Sequence, residues 1–217
     1  MPHVTVAALI CREPLVTLGG PTGPRAARLL LDVLMADQSP LSADELLDIV
    51  DEHDRVVGQA PRKEAYAHRL RHRCVFVLAR DAQGRVFVHR RTARKLVFPS
   101  LYDMFVGGVV GTGESYDEAA LREAEEELGV PGLPAPVPLF KFLYETPEHA
   151  WWSAVYEIRC ALPVDPQAEE VAWHAFLTVE ELERRLTEWT WVPDGMDAYR
   201  RLLAWRTNQA EQRVHLR

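Results

Sequence analysis

Glu123, Glu126 and Glu127 stand in the run "REAEEELGV", and their i, i+3, i+4 spacing puts all three on one side of a helix. Carboxylates so placed repel one another, more strongly wherever a neighbouring sheet excludes water. The arrangement calls for positive charge. Arg122 can reach Glu126 at i+4, yet one guanidinium does not neutralise three acids, whereas a divalent cation takes several carboxylate oxygens. For an isolated acidic run the competing reading is a solvated helix face.

The elements that must hold these acids are readable around them. Ser115 and Glu118 match S-x-x-E, which satisfies free amides at a helix start, and Gly129 suits a helix end, so the pattern predicts a helix over 116–128. Ala120, Leu121, Ala124 and Leu128 gather on its apolar face. Glu118 and Glu125 fall on the opposite side, facing water. The glycine-rich stretch "GGVVGTG" just before it lets backbone approach the acids closely.

The wider spacing decides between the two readings. Gly108, Glu114, Arg122-Glu123, Glu126-Glu127 and Gly129-Val130 fall on every fixed position of G-x5-E-x7-R-E-u-x-E-E-x-G-u, where u is aliphatic. The chain therefore resembles a Nudix hydrolase, over most of the region from about residue 45 to 205. The resemblance implies that Glu123, Glu126 and Glu127 hold Mg²⁺ or Mn²⁺, with the carbonyl of Gly107 as a further ligand. It also implies that Arg122 steadies the glutamates and pairs with Glu114. The implied activity is metal-dependent hydrolysis of a diphosphate joined to another group, X, with a glutamate taking the proton of the attacking water. Glu123 is the first choice for that base. Glu145, Glu148, Glu169 and Glu170 are alternatives from downstream, with Glu170 slightly ahead.

A second resemblance, to isopentenyl diphosphate isomerases, lies in "RHRCVFVLARDAQGRVFVHRRTARKLVFPSLYD". It places Arg91 and Lys95 on the substrate diphosphate and His72 on one of the metal-binding histidines. Gly107 and Val109, however, stand where those enzymes carry their catalytic cysteine and a histidine. An isomerase-like bacterial branch of the Nudix hydrolases fits best, carried by Asp51, Glu52, Val56, Arg62, Glu64 and the run Leu70-Arg71-His72-Arg73. The alternatives are an isomerase-like enzyme and a non-catalytic Nudix sensor. A sensor usually has a damaged box and an added DNA-binding region, and neither is visible.

Other residue groups have blander readings. His68 and His72 lie four apart on an expected basic helix, but arginines surround them, which disfavours a metal site there. Arg62, Lys63, Arg69, Arg71 and Arg73 read as a solvated helix face in preference to a basic rim guiding diphosphates. Trp151, Trp152 and Trp173 read as core or interface aromatics before they read as stacking platforms.

The rest of the chain must fold around this site. Hydrophobic residues make up 47% of its 217 residues, enough for a sizeable core. The net charge of −7 argues against general binding to nucleic acid or anionic membranes, so the expected partner is a small-molecule diphosphate. Three scattered cysteines, Cys11, Cys74 and Cys160, indicate neither disulfide framework nor zinc knuckle, and the short apolar start lacks a basic leader; a cytoplasmic setting is expected. "LLDIVD" with "RVVGQA", "CVFVLAR" with "RVFVHRR", and "LFKFLYET" with "WWSAVYEIRCA" read as strand pairs, and "VAWHAFL" as a further strand. Thr178 and Glu181 box the start of another helix, and Asp194 is expected to cap the last one. Mixed strands with interspersed helices predict an α+β chain, and the resemblance implies a Nudix α/β/α sandwich with a mixed sheet. The expected organisation is an N-terminal extension over 1–44, a Nudix domain over 45–207 and a tail over 208–217. The first 34 residues are expected to be a mispredicted start or a loosely attached extension. A homodimer is expected from fold-level habit.

Overall fold

The structure, a computed structural model, describes residues 43–215. The expectations for residues 1–42, including the extension and Cys11, lie outside the described residues.

β1 (Leu46–Val50) and β2 (Val56–Pro61) pair antiparallel. Asp51 shapes their turn by accepting the amides of His53 at 2.8 Å and Arg55 at 3.0 Å. The basic helix that follows is shorter than expected: α1 runs only from Arg62 to Ala67. Arg69 then adopts φ +52°, which breaks the helix, and His72 opens β3 (His72–Arg80). His68 and His72 therefore do not share a helix face, contrary to the sequence reading.

β3 is the central strand of the main sheet. Its residues alternate between two cores: Cys74, Phe76 and Leu78 enter one, Val75, Val77 and Ala79 the other. A strand buried on both faces needs a layer on each side. α2 (Tyr116–Leu128) covers the second core with Ala119, Ala120, Ala124 and Leu128. α3 (Val179–Glu188) and α4 (Pro193–His215) close the first with Leu182, Ala198 and Leu202. The result is an α/β/α sandwich.

The expected hairpin between β3 and β4 (Val86–Arg91) holds only at its turn, where Arg80 pairs with Val86. Beyond it, β4 pairs along one edge with β8 (Val171–Leu177) and at its far end with β5 (Tyr102–Asp103). One edge of β3 is taken by β7 (Ala150–Arg159) in parallel, and β7 pairs antiparallel with β6 (Val137–Glu145). The other edge takes residues 106–110 antiparallel, through Val75 N to Gly108 O at 2.9 Å and Val77 N to Val106 O at 2.8 Å. This last pairing seats the glycine loop beside α2.

At the chain's end, Pro193 occupies the first position of α4 and Asp194 lies inside the first turn, buried, so it is not the cap the sequence suggested. The helix also continues through residues 208–215, read from sequence as a tail.

Candidate active site

Local chemistry sets α2 in place. Ser115 Oγ accepts Glu118 N at 3.2 Å, and the Glu118 carboxylate accepts Ser115 N at 2.9 Å, as the capping box predicts. Gly129 ends the helix at φ +64°, where a side chain would run into the backbone carbonyl of Asp165. Glu125 is not simply solvated: it accepts the amides of Gly132 at 2.6 Å and Leu133 at 3.0 Å, anchoring the turn after the helix.

The three box glutamates meet different surroundings. Glu126 is exposed, while Glu127 is buried to 2% relative exposure. Burial, then the nearby Glu127 charge, pushes the Glu123 carboxyl up to about 7, against the pull of Arg122. Burial is the largest influence on Glu127 and would raise it, but Lys95, His89 and Arg91 together outweigh it and hold Glu127 below the ordinary carboxylate range. Lys95 Nζ lies 3.1 Å from Glu127 Oε1 and also pairs with Glu170. Gly107 N donates to Glu127 Oε2 at 3.2 Å.

Arg122 clamps the other end. Its Nε and Nη2 donate to the two oxygens of Glu114 at 2.8 and 2.9 Å, and Nη1 reaches Glu123 at 2.8 Å and Glu126 at 3.2 Å. Glu114 also accepts Gly111 N at 2.9 Å, so loop and helix are tied by charge-assisted bonds. Among the described residues no three acidic, histidine or cysteine side chains are already gathered as a metal cluster. The acids are engaged by Arg122 and Lys95 instead. Buried oxygen donors whose charge is met by two cationic side chains fit a hard divalent cation in chemistry.

One cleft collects most of the expected residues: Gly107, Arg91, Lys95, Arg122 and the three box glutamates all line it. Arg91 donates to Val97 O at 3.1 Å, while its Nε, also buried, has no partner among the described residues. Of the downstream acids Glu170 lines the cleft, and Glu145, Glu148 and Glu169 do not. Glu145 instead pairs with Arg71 at 3.0 Å.

His72 is not brought to the cleft. It is 1% exposed behind Tyr66 and Trp151, its Nδ1 lies 3.0 Å from Leu70 O, and burial lowers it to about 4, so it is a neutral interior imidazole. Nor is there a free basic rim. Arg62 pairs with Glu45, Lys63 with Asp44, Arg69 with Glu145 and Arg73 with Asp54. Sequence reasoning missed Asp103, Asp194, Glu45 and Gln167 on the cleft wall, and it gave Arg62 and Trp151 blander places. These lie far apart along the chain, with no local spacing to flag them.

The family model of the NUDIX domain matches residues 70–199. The chain belongs to the Nudix family. A Nudix hydrolase of Streptomyces coelicolor is 73% identical over 166 residues, covering 76% of this chain and 92% of the relative. The Nudix hydrolase YfcD of Escherichia coli is 36% identical over 175 residues, covering 81% and 94%. Among solved structures, the crystal structure of DR0079 from Deinococcus radiodurans aligns at TM-score 0.61 with 34% identity, covering 72% of this chain and 98% of that one. As a Nudix hydrolase the protein acts on pyrophosphate bonds of small molecules. The glycine loop also bears on the isomerase resemblance. A side chain at Gly107, where an isomerase carries its cysteine, would run into the Val75 carbonyl. Among the described residues no helix is long and apolar enough to cross a membrane.

Proposed function

We propose that the protein is a Mg²⁺- or Mn²⁺-dependent hydrolase of an organic diphosphate, acting in the cytoplasm, with Glu123, Glu126, Glu127 and the Gly107 carbonyl as the metal-holding groups. The observation that carries this reading is the placing of buried Glu127 and part-buried Glu123 on one cleft wall, with the Lys95 ammonium already bound to Glu127. Acids drawn together on a wall that also carries Arg91 and Lys95 suit a divalent cation that meets a pyrophosphate. When bound, the metal would screen phosphoryl charge and activate water.

The chain's own residues do the rest. Glu123 lines the cleft beside Glu127, and it is our choice for the general base. Arg122 holds it in place through Nη1. Arg91 and Lys95 face the cleft as the groups that would orient the diphosphate. His72, buried behind the wall, takes no part in this reading.

The test is turnover by Glu127→Gln, which removes the charge and keeps the shape. It should lose metal-dependent diphosphate hydrolysis by about 100-fold or more while retaining the wild-type circular dichroism spectrum. A variant that hydrolyses diphosphates at the wild-type rate would sink the assignment.

A further inference from the structure

One fully buried side chain on the face under α2 has nothing to hold. His89, on β4, is 0% exposed, and neither of its ring nitrogens has a partner among the described residues. A neutral imidazole carries one N–H donor and one lone-pair acceptor, and leaving both unmet in the interior is costly. Packing gives no reason to bear that cost. The ring lies against Phe87, with centroids 5.9 Å apart and planes at 29°, a place that a phenyl ring fills as well.

The sheet fixes what the imidazole faces. Phe87 and His89 lie two apart on β4 and share a face, and Phe87 belongs to the core that α2 covers with Ala120, Ala124 and Leu128. Glu127, the neighbour of Leu128 on that helix, is buried as well. The two groups are close enough for each to feel the other: burial lowers His89 to about 4 with the Glu127 charge pulling the other way, and His89 is among the groups that hold Glu127 down. In the strand register His89 stands opposite Asp103 of β5, so the Asp103 side chain lies on the same face. Asp103 is 5% exposed, and its Oδ1 accepts the Phe105 amide at 3.0 Å. His174, opposite His89 on β8, is exposed and stacks on Phe87 with centroids 5.6 Å apart. His89 thus has buried carboxyl groups as neighbours from two elements.

Glu127 has a matching need. Its Oε1 accepts from Lys95 at 3.1 Å and its Oε2 from the Gly107 amide at 3.2 Å. On the hydrolase reading a divalent cation takes the place of the Lys95 ammonium, and the carboxylate must then be oriented from the protein side, as metal-holding carboxylates are by outer hydrogen bonds. His89 is a donor still unspent. We propose that His89 is a positioning residue for Glu127: one ring nitrogen donates its hydrogen to the carboxylate while the other accepts from the Asp103 carboxyl group. Asp103, raised to about 8 by its burial, carries the hydrogen that this requires. The proposal rests on the hydrolase reading of the same glutamates.

Calorimetric titration of the full chain with Mn²⁺, paired with thermal melts of the metal-free protein, tests it. The binding lost in Glu127→Gln identifies this site in the titration. His89→Phe keeps the ring and removes two unmet polar atoms, so its metal-free melting temperature should equal or exceed that of the wild type. Its Kd for Mn²⁺ should nevertheless rise about tenfold. His89→Gln keeps an N–H donor and should bind Mn²⁺ within about threefold of the wild type. His89→Met, equally without a donor, carries the comparison if His89→Phe does not fold. Wild-type affinity in the variant without a donor, or an equal loss in His89→Gln, overturns the positioning role and leaves the hydrolase reading standing. A wild type that takes up no Mn²⁺ overturns the metal-dependent reading, and the positioning role with it.

Discussion

Lys95 and Glu127 form a buried ion pair, with Nζ 3.1 Å from Oε1 and side chains only 12% and 3% exposed. Removing one partner of such a pair leaves an uncompensated charge in the interior. Lys95→Met should therefore destabilise the metal-free protein by about 3 kcal/mol. On the proposed reading a divalent cation takes over the ammonium's role at Glu127. Added Mn²⁺ should then raise the melting temperature of Lys95→Met more than that of the wild type. Paired thermal melts with and without Mn²⁺ check this, and equal shifts would argue against a cation at Glu127.

Arg122 binds Glu114 through both carboxylate oxygens while its third nitrogen holds Glu123 and Glu126. A lysine offers one point charge in place of the planar fork, so it cannot keep loop and helix in register together. Arg122→Lys should lose about 1–3 kcal/mol of stability. It should also lower kcat more than it raises KM, since the acids are displaced while Arg91 and Lys95 keep their places on the cleft wall. Urea titration and initial-rate kinetics separate the two effects.

How much of this was legible in the sequence follows the range of each interaction. Both capping boxes, at Ser115–Glu118 and Thr178–Glu181, were readable because each closes within one turn. The Arg122–Glu114 bond was readable through the motif spacing alone. The ion pair of Lys95 with Glu127 was not, because it joins the loop after β4 to α2 across the fold and no local pattern marks it. β4 illustrates the same limit: its turn was read correctly, but its main partner, β8, lies far along the chain. His72 was misplaced because the helix before it breaks at Arg69, a residue with φ +52° and no glycine to announce it. The roles of Asp103, Asp194 and Arg62 in the cleft wall depend on tertiary contacts throughout.

Gly107 and Gly108 should respond differently to the same substitution. At Gly107, φ +152°, an added methyl would meet the Val75 backbone carbonyl, which cannot move without disturbing the central strand. Gly107→Ala should cost about 3 kcal/mol or more. At Gly108 the added carbon would stand 2.6 Å from Glu123 Oε1, the end of a flexible side chain. Gly108→Ala should thus fold with a melting temperature near the wild type and lose activity, because Glu123 is pushed aside. The contrast is read by calorimetry on both variants alongside their turnover.

Asp103 and Asp194 are both buried at the cleft, and burial followed by the nearby Asp194 charge raises Asp103 to about 8. Burial likewise raises Asp194 to about 6, with Arg91 pulling the other way. In the unfolded chain both carboxyls titrate near the ordinary value of 3.8. Between that value and 8 the folded protein therefore binds more protons than the unfolded one, so stability falls as pH rises. Their contribution is complete below about pH 4 and is lost progressively above it, up to about pH 6 for Asp194 and about pH 8 for Asp103, with a slope of at most about 1.4 kcal/mol per pH unit for each proton. Asp103→Asn keeps an acceptor for the Phe105 amide, which now donates to Asp103 Oδ1 at 3.0 Å, and removes the titrating charge. Its melting temperature should change less than the wild type's between pH 5 and 8. Parallel pH-dependent melts decide it: equal slopes for the two proteins would mean that Asp103 does not hold its proton.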